Sequence, residues 1–316
     1  MHTALSKKWL LAVLLSIALA GCGGGSGTDN VASSTAAASA APTPEPGAPQ
    51  ATGNIATDGF NWFNFRRTQV GLASVTRNNR IDTAALGHSR YQATNNVISH
   101  EQTRTDADFT GATLGERLAN AGYELGTAGY MYGEIISSTS YTSGFRSAEE
   151  LIAAIYHRFV AFEPMFKEAG SGAVTSARGM TYFTTNFGAV GLDRGLGASD
   201  IVTYPFNGQQ QVPQNFQSDN ELPDPVPEQN EVGYPISVHA NVTSTVQVES
   251  FTIQPRGSAA LPVRLLTAGT DRYTPSSAAS IIPLVPLAPA TTYEVTFRGL
   301  IDNRAVSRTW TFVTQS

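Results

Sequence analysis

The stretch His157-Arg-Phe-Val-Ala-Phe-Glu-Pro-Met-Phe-Lys-Glu-Ala-Gly-Ser-Gly172 joins a helical pattern to a strand pattern. On its N-terminal side, Ser147-Ala-Glu-Glu150 fits a capping box, and Leu151, Ile152, Ile155 and Phe159 follow helical spacing, so one helix is expected from Ser147 through Phe159. On its C-terminal side, 172–175 and 180–190 read as strands, the second rich in Thr, Tyr and Phe. Upstream, order is expected from near Gly59. The aromatics Phe60, Trp62, Phe63 and Phe65 lead into a helix ending near Leu72. Ile81, Ala84, Ala85, His88, Tyr91, Gln92 and Asn95 mark a second helix with a mixed face. Thr113-Leu-Gly-Glu116 opens a third, ending at Gly122, and 130–137 reads as a strand. Helices flanking a small, mainly antiparallel sheet make an α+β or α/β/α layered domain over residues 58–195.

Residues 196–235 hold Pro205, Pro213, Pro223, Pro225, Pro227 and Pro235 among polar residues, and read as a stiff, extended connector. From 236 to 316 the pattern is strand only. Tyr293, Val295 and Phe297 alternate, as do Val306, Arg308, Trp310 and Phe312. Val246 and Val248 shift phase to Phe251 and Ile253, which predicts a bulge. An all-β sandwich is expected here.

The N-terminus has Lys7 and Lys8, then twelve nearly all-apolar residues, Trp9 to Ala20, too few for a spanning helix of about 20. The sole cysteine, Cys22, follows directly after Leu19-Ala20-Gly21. Charged leader, short apolar run and small residues make a secretory signal over 1–21. Its ending resembles the lipobox of bacterial lipoproteins. That resemblance implies cleavage before Cys22, acylation of its thiol, anchoring to a bacterial membrane and, with Gly rather than Asp at 23, the outer membrane. Residues 22–57 are Gly, Ser, Ala, Thr and Pro-rich and read as a disordered tether. Loss of the leader leaves 18 basic against 25 acidic residues, a formal charge of −7, which argues against a nucleic-acid partner. One cysteine permits no internal disulfide, so buried cores must supply the stability.

Three histidines, His88, His100 and His157, fall in the first domain with carboxylates nearby, and suggest a shared site. Their context resembles the CAP superfamily (cysteine-rich secretory and pathogenesis-related 1 proteins) in its cysteine-free bacterial branch, over about residues 58–190. The resemblance rests on Asn64-Phe-Arg-Arg67, Gly71-Leu72, Ala85-Leu-Gly-His88-Ser89, Ser99-His100, Glu116-Arg117-Leu118, Ala121-Gly122-Tyr123, Gly133-Glu134, and the ungapped run from His157-Arg158 to Gly170 and Gly172. It implies a CAP α/β/α sandwich and a cleft lined by two histidines and two glutamates. Residue by residue, those are His100, His157 and Glu134, with His88 at a bacterial-branch position. The second glutamate is missing, because its place falls near Arg158. Glu149 and Glu150 read better as helix-start charges and Glu116 as a capping partner. Ile135 replaces the Asn expected after Gly-Glu.

Chemically, His100, His157 and Glu134 could hold Zn or Mg, or act as acid and base without metal. No Gly-x-Ser-x-Gly elbow or second thiol offers a nucleophile. His239 reads as structural, and Asn241-Val-Thr243 as a chance glycosylation pattern. The C-terminal segment resembles bacterial Ig-like modules. The expected function is an envelope lipoprotein that binds, rather than transforms, a small apolar or envelope-derived ligand, with room for a divalent metal in the His/Glu cleft. The alternatives are a metal-dependent hydrolase of peptide or cell-wall polymer, and a surface spacer or adhesion protein.

Overall fold

The computed structural model describes residues 45–126 and 129–316. The leader, Cys22 and the tether up to residue 44 lie outside the described residues. No helix among the described residues is long and apolar enough to cross a membrane.

The chain runs α1 (Ile55–Gln69), β1 (Thr76–Arg77), α2 (Asn79–Asn95), α3 (Leu114–Asn120), β2 (Tyr130–Thr139), α4 (Gly144–Ala153), α5 (Ile155–Ala161), β3 (Glu168–Thr175) and β4 (Thr181–Val190). Order starts earlier than the aromatic run suggested. The Asn54 side chain caps α1 by accepting from Thr57 N at 2.9 Å, and Asp58 accepts from Thr52 N and Oγ1 at 2.7 Å. Glu45 is pinned to Arg66 at 2.7 Å, so the last part of the expected tether belongs to the folded body.

The first sheet has the order β1-β3-β4-β2, with only the short β1·β3 contact parallel. Side chains alternate across it. Phe183 and Phe187 face α1, where both meet Phe63. Thr184 faces α2 and takes hydrogen bonds from Ser89 and Gln92. The layers are thus helix, sheet, helix. Gly170 and Gly172 let α2 lie directly on β3, since a Cβ at either would stand 2.2 Å from a backbone nitrogen, of Asp82 or Leu86.

The single helix expected through Phe159 is broken. Ala154 is extended (φ −69°, ψ 119°), ending α4 and starting α5. Two side chains stabilise the break. Arg158 Nε and Nη2 donate to the Ile152 and Ala153 carbonyls that α4 leaves open, at 2.6 and 3.2 Å. Glu221 accepts from the first N–H groups of α5, Ile155 at 2.7 Å and Tyr156 at 2.6 Å. Glu221 lies more than sixty residues from the helix it caps, so helical periodicity alone runs straight through the break.

The C-terminal half contains β5 (Val202–Tyr204), β6 (Gln209–Val212), β7 (Asn215–Gln217), β8 (Glu231–Gly233), β9 (Ile236–His239), β10 (Val246–Pro255), β11 (Val263–Leu266), β12 (Ala278–Pro283), β13 (Thr292–Ile301) and β14 (Arg304–Thr314). Two four-stranded sheets, β10-β13-β14-β6 and β11-β12-β9-β5, share one core, and β7-β8 forms a ribbon. The register slips between Val248 and Ser250, at the expected bulge. The region read as a connector differs from that reading. Its strands β5 and β6 complete the two sheets, because Val202, Tyr204 and Val212 bury fully and prolines flank the strands without interrupting them.

The two halves share a continuous core. Phe162 packs on Tyr204 at 5.1 Å and edge-on to His239 at 5.8 Å. His239 is buried and neutral, its imidazole pushed down to about 3 by burial and by nearby Arg158. Beside it, Glu163 Oε1 accepts from Met165 N at 3.0 Å and from Val242 N, in the other half, at 3.1 Å. Burial pushes the Glu163 carboxyl up to about 7, against those two hydrogen bonds and Arg67.

A raised carboxyl keeps its proton in the folded state while the unfolded chain loses it. Stability therefore falls as pH rises from about 4.5, the ordinary glutamate range, to about 7. Glu163→Gln keeps an accepting oxygen and removes the ionisation. Relative to wild type, it should gain about 3 kcal/mol between pH 4.5 and 8, read as a difference in urea midpoints. Parallel pH profiles for the two proteins would contradict this placement.

Candidate functional site

Glu134 sits on β2, on the face that meets α2 and α3, with its carboxylate 3% exposed. Both of its oxygens accept from Arg117 Nη2 of α3, each at 2.8 Å. Thr113 caps α3 by accepting from Glu116 N at 3.3 Å, while Glu116 accepts from Ala112 N at 2.8 Å. That confirms a capping role for Glu116. Burial alone would raise the Glu134 carboxyl. The Arg117 guanidinium, helped by His88 and His100, outweighs it and holds the acid well below the usual carboxylate range.

His100 Nδ1 lies 3.0 Å from Glu134 Oε1, and Arg117 Nη1 donates to the His100 carbonyl at 2.9 Å. One guanidinium thus fixes both the acid and the histidine loop. Ionised Glu134 can only accept, so His100 Nδ1 carries the proton and Nε2 is the atom left for a ligand.

His157, on α5, repeats this arrangement with a different acid. Its Nδ1 is 3.0 Å from Glu221 Oε1, an oxygen already accepting from Tyr156 N. Nδ1 is therefore the donor here too, and Nε2 is again left over. Glu221 is fully buried and comes from the stretch read as a connector.

His88 does not join them as a reactive group. Its Nε2 donates to the Ser99 carbonyl at 2.7 Å and its Nδ1 accepts from Gln102 Nε2 at 2.8 Å. Both ring nitrogens are used and the ring is fully buried. Burial pushes it down to about 4, so it is neutral and supports the floor under Glu134, 3.8 Å away.

His100, Glu134 and His157 line one cavity of about 130 Å³. The remaining wall is mostly apolar and aromatic, with Leu114, Ile135, Val160, Leu222, Tyr132, Tyr156 and Tyr273. Glu149 and Glu150 do not supply a further acid. Glu149 accepts from Trp62 Nε1 at 2.6 Å and pairs with Arg66, and Glu150 pairs with Arg146.

The expected Zn or Mg ligand set of His100, His157 and Glu134 is not assembled. Among the described residues, no three His, Cys, Asp or Glu side chains stand close enough together to hold a metal ion. The reason is local. Arg117 occupies both oxygens of Glu134 with a fixed positive charge.

Two functional residues were not assigned from sequence. Arg117 belongs to a recognised motif, but nothing local marks it as the partner of Glu134. Glu221 lies 64 residues beyond His157 in a proline-rich run, with no periodic pattern around it.

Removing either partner should be costly. Arg117→Met leaves a buried, unpaired carboxylate and should lose about 3–5 kcal/mol of stability in urea titration. Glu134 contributes stability above the ordinary glutamate range, which is lost as pH falls through it toward the depressed folded value, and the Arg117→Met protein should lose that acid-sensitive component. Glu221→Ala uncaps α5 and should cost about 2 kcal/mol. Wild-type stability in both variants would contradict the geometry.

No protein-family profile matches the chain, and no curated protein matches it. Among solved structures, it is similar to an extracellular protein containing an SCP domain from Bacillus anthracis, with 22% identity and a TM-score of 0.36, over 42% of this chain and 39% of that one. It is also similar to an outer surface protein from Borrelia burgdorferi, with 14% identity and a TM-score of 0.35, over 42% of this chain and 89% of that one. The match spans well under half the length of the Bacillus anthracis protein.

Proposed function

We propose that the chain is an exported envelope lipoprotein, moored by lipid on Cys22, whose CAP-type domain binds a small ligand without transforming it. The ligand is an apolar lipid or cell-wall fragment with one polar end. The observation that carries this reading is the pair of imidazoles, each held through Nδ1 by a buried carboxylate, in the wall of a largely apolar cavity. Such a site offers two directed hydrogen-bonding atoms and an apolar surround, and its volume of about 130 Å³ takes the polar end of the ligand rather than the whole of it. With Glu134 committed to Arg117, no step through a metal is part of the proposal.

The test is equilibrium binding of extracted envelope lipids and cell-wall fragments to wild type and to the His100→Ala/His157→Ala double variant. We expect at least a tenfold loss in the variant, about 1.4 kcal/mol or more. Binding should be unchanged by EDTA, and the ligand should be recovered intact by mass spectrometry. Equal binding by both proteins would remove the cleft from the function. Cys22→Ser should abolish incorporation of radiolabelled palmitate and release the protein from membranes.

A further inference from the structure

A larger groove lies beside the histidine cleft and shares His100, His157 and Leu222 with it. Its volume is about 1400 Å³, beyond the usual few-hundred to 1,000 Å³ of small-molecule pockets. Of the runs of consecutive residues that border it, three lie on or beside strands: 136–139 on β2, 208–211 at β6, and 215–217 on β7. Successive side chains of a strand point to opposite faces, so a groove touched by four residues in a row follows the strand's edge rather than one face. The topology agrees. β2 pairs only with β4 and β6 only with β14, so each is the outer strand of its sheet.

An outer strand presents unpaired N–H and C=O groups, a template for an added strand. Two side chains in the groove wall are also unpartnered. Tyr234 is 1% exposed, yet its hydroxyl has no hydrogen-bond partner among the described residues, and neither has Ser137 Oγ. At the histidine end, Ile98 and Leu222 are 63% and 69% exposed, the most of any large apolar side chains among the described residues. The charged lining groups cancel largely among themselves: Arg66 binds Glu45 and Glu149, and Arg146 binds Glu150. Exposed Glu101 has no ion pair among the described residues, so the surplus is acidic.

We propose that this groove between the two halves binds an extended, neutral or basic peptide segment, which adds as a strand to the edge of β2 and places apolar side chains on Ile98 and Leu222. Backbone pairing supplies the recognition, and the acidic surplus rejects acidic segments. The groove meets the small-ligand cleft at His100, Glu101, His157 and Leu222, but its test reads the backbone of β2 and does not depend on that reading.

The experiment pans a displayed library of random octapeptides on the full chain. Enriched peptides are resynthesised in three forms: unmodified, and N-methylated at alternate residues in each of the two phases. In an added strand only every second residue bonds to its neighbour. One N-methylated phase should therefore bind about tenfold or more weakly, and the other within about twofold of the parent. Backbone amides of residues 136–139 should exchange more slowly in the complex. Tyr234→Phe should weaken binding about threefold at an unchanged melting temperature. Absence of enrichment, enrichment of acidic peptides, equal binding by both N-methylated phases, or protection confined to other strands would each overturn the proposal. So would self-association, seen by sedimentation, that protects the same amides. A glycan hexamer that protects them while no peptide enriches would assign the groove to sugar instead.

Discussion

A carboxylate from one half of the chain closes the end of a helix from the other. Glu221 gathers the first N–H groups of α5 and the ring of His157, while Arg158 gathers the last carbonyls of α4. Without these two side chains the turn at Ala154 would leave several buried backbone groups without partners, each costing about 1–3 kcal/mol. A continuous helix would then be the better solution. The break sets where His157 stands, and so decides that it lines a cavity with His100 and Glu134. The histidine cleft is thus a joint product of both halves. The C-terminal half supplies Glu221 and Leu222, and its strands β5 and β6 come from the segment that composition marks as a connector.

The chemistry of the cleft follows from a competition for Glu134. A carboxylate among histidines is a metal ligand when its lone pairs are free. Here Arg117 holds both oxygens at 2.8 Å, and a guanidinium cannot give up its charge. The result is an acid that stays ionised but is already satisfied. It orients His100 rather than accepting a cation. His157 reaches the same state through Glu221. Two imidazoles with one fixed tautomer and one remaining ring nitrogen each make a site for hydrogen-bonding a polar group at a set angle.

The sequence makes short-range features plain. Thr113 caps its helix, the bulge at Val248 appears as a phase change, and alternation marks Tyr293, Val295 and Phe297 as core. All of these are signals within about ten residues. What stays hidden is set by contacts across long separations. The helix break at Ala154 depends on Glu221, the role of Arg117 on a strand seventeen residues away, and the pairing of β6 with β14 on strands a hundred residues apart. The connector is misleading for a physical reason. Prolines and amides flank buried Val202, Tyr204 and Val212, and such short apolar islands gain meaning only once a partner strand covers them.

The chain has one cysteine and hence no internal disulfide, and three fully buried arginines act as its cross-links. Arg67 donates to the carbonyls of Ala161 and Glu163, tying α1 to the end of α5. Arg117 joins the His100 loop to β2. Arg158 joins the end of α4 to the Pro235 carbonyl of the other half, and lies over the rings of Tyr204 and Tyr234 at 4.8 and 5.2 Å. Each cross-link ends on backbone carbonyls where the chain leaves regular structure and cannot satisfy them itself. A planar fork with five donors fits that task, and a lysine ammonium, a single hydrated point, does not. The cost of burial is visible in Arg67, pushed down to about 10, which still leaves it charged at neutral pH. A guanidinium is rigid only while its acceptors hold still. Arg117 therefore fixes the His100 side of the cleft, and Arg158 ties the turn that places His157 to the other half.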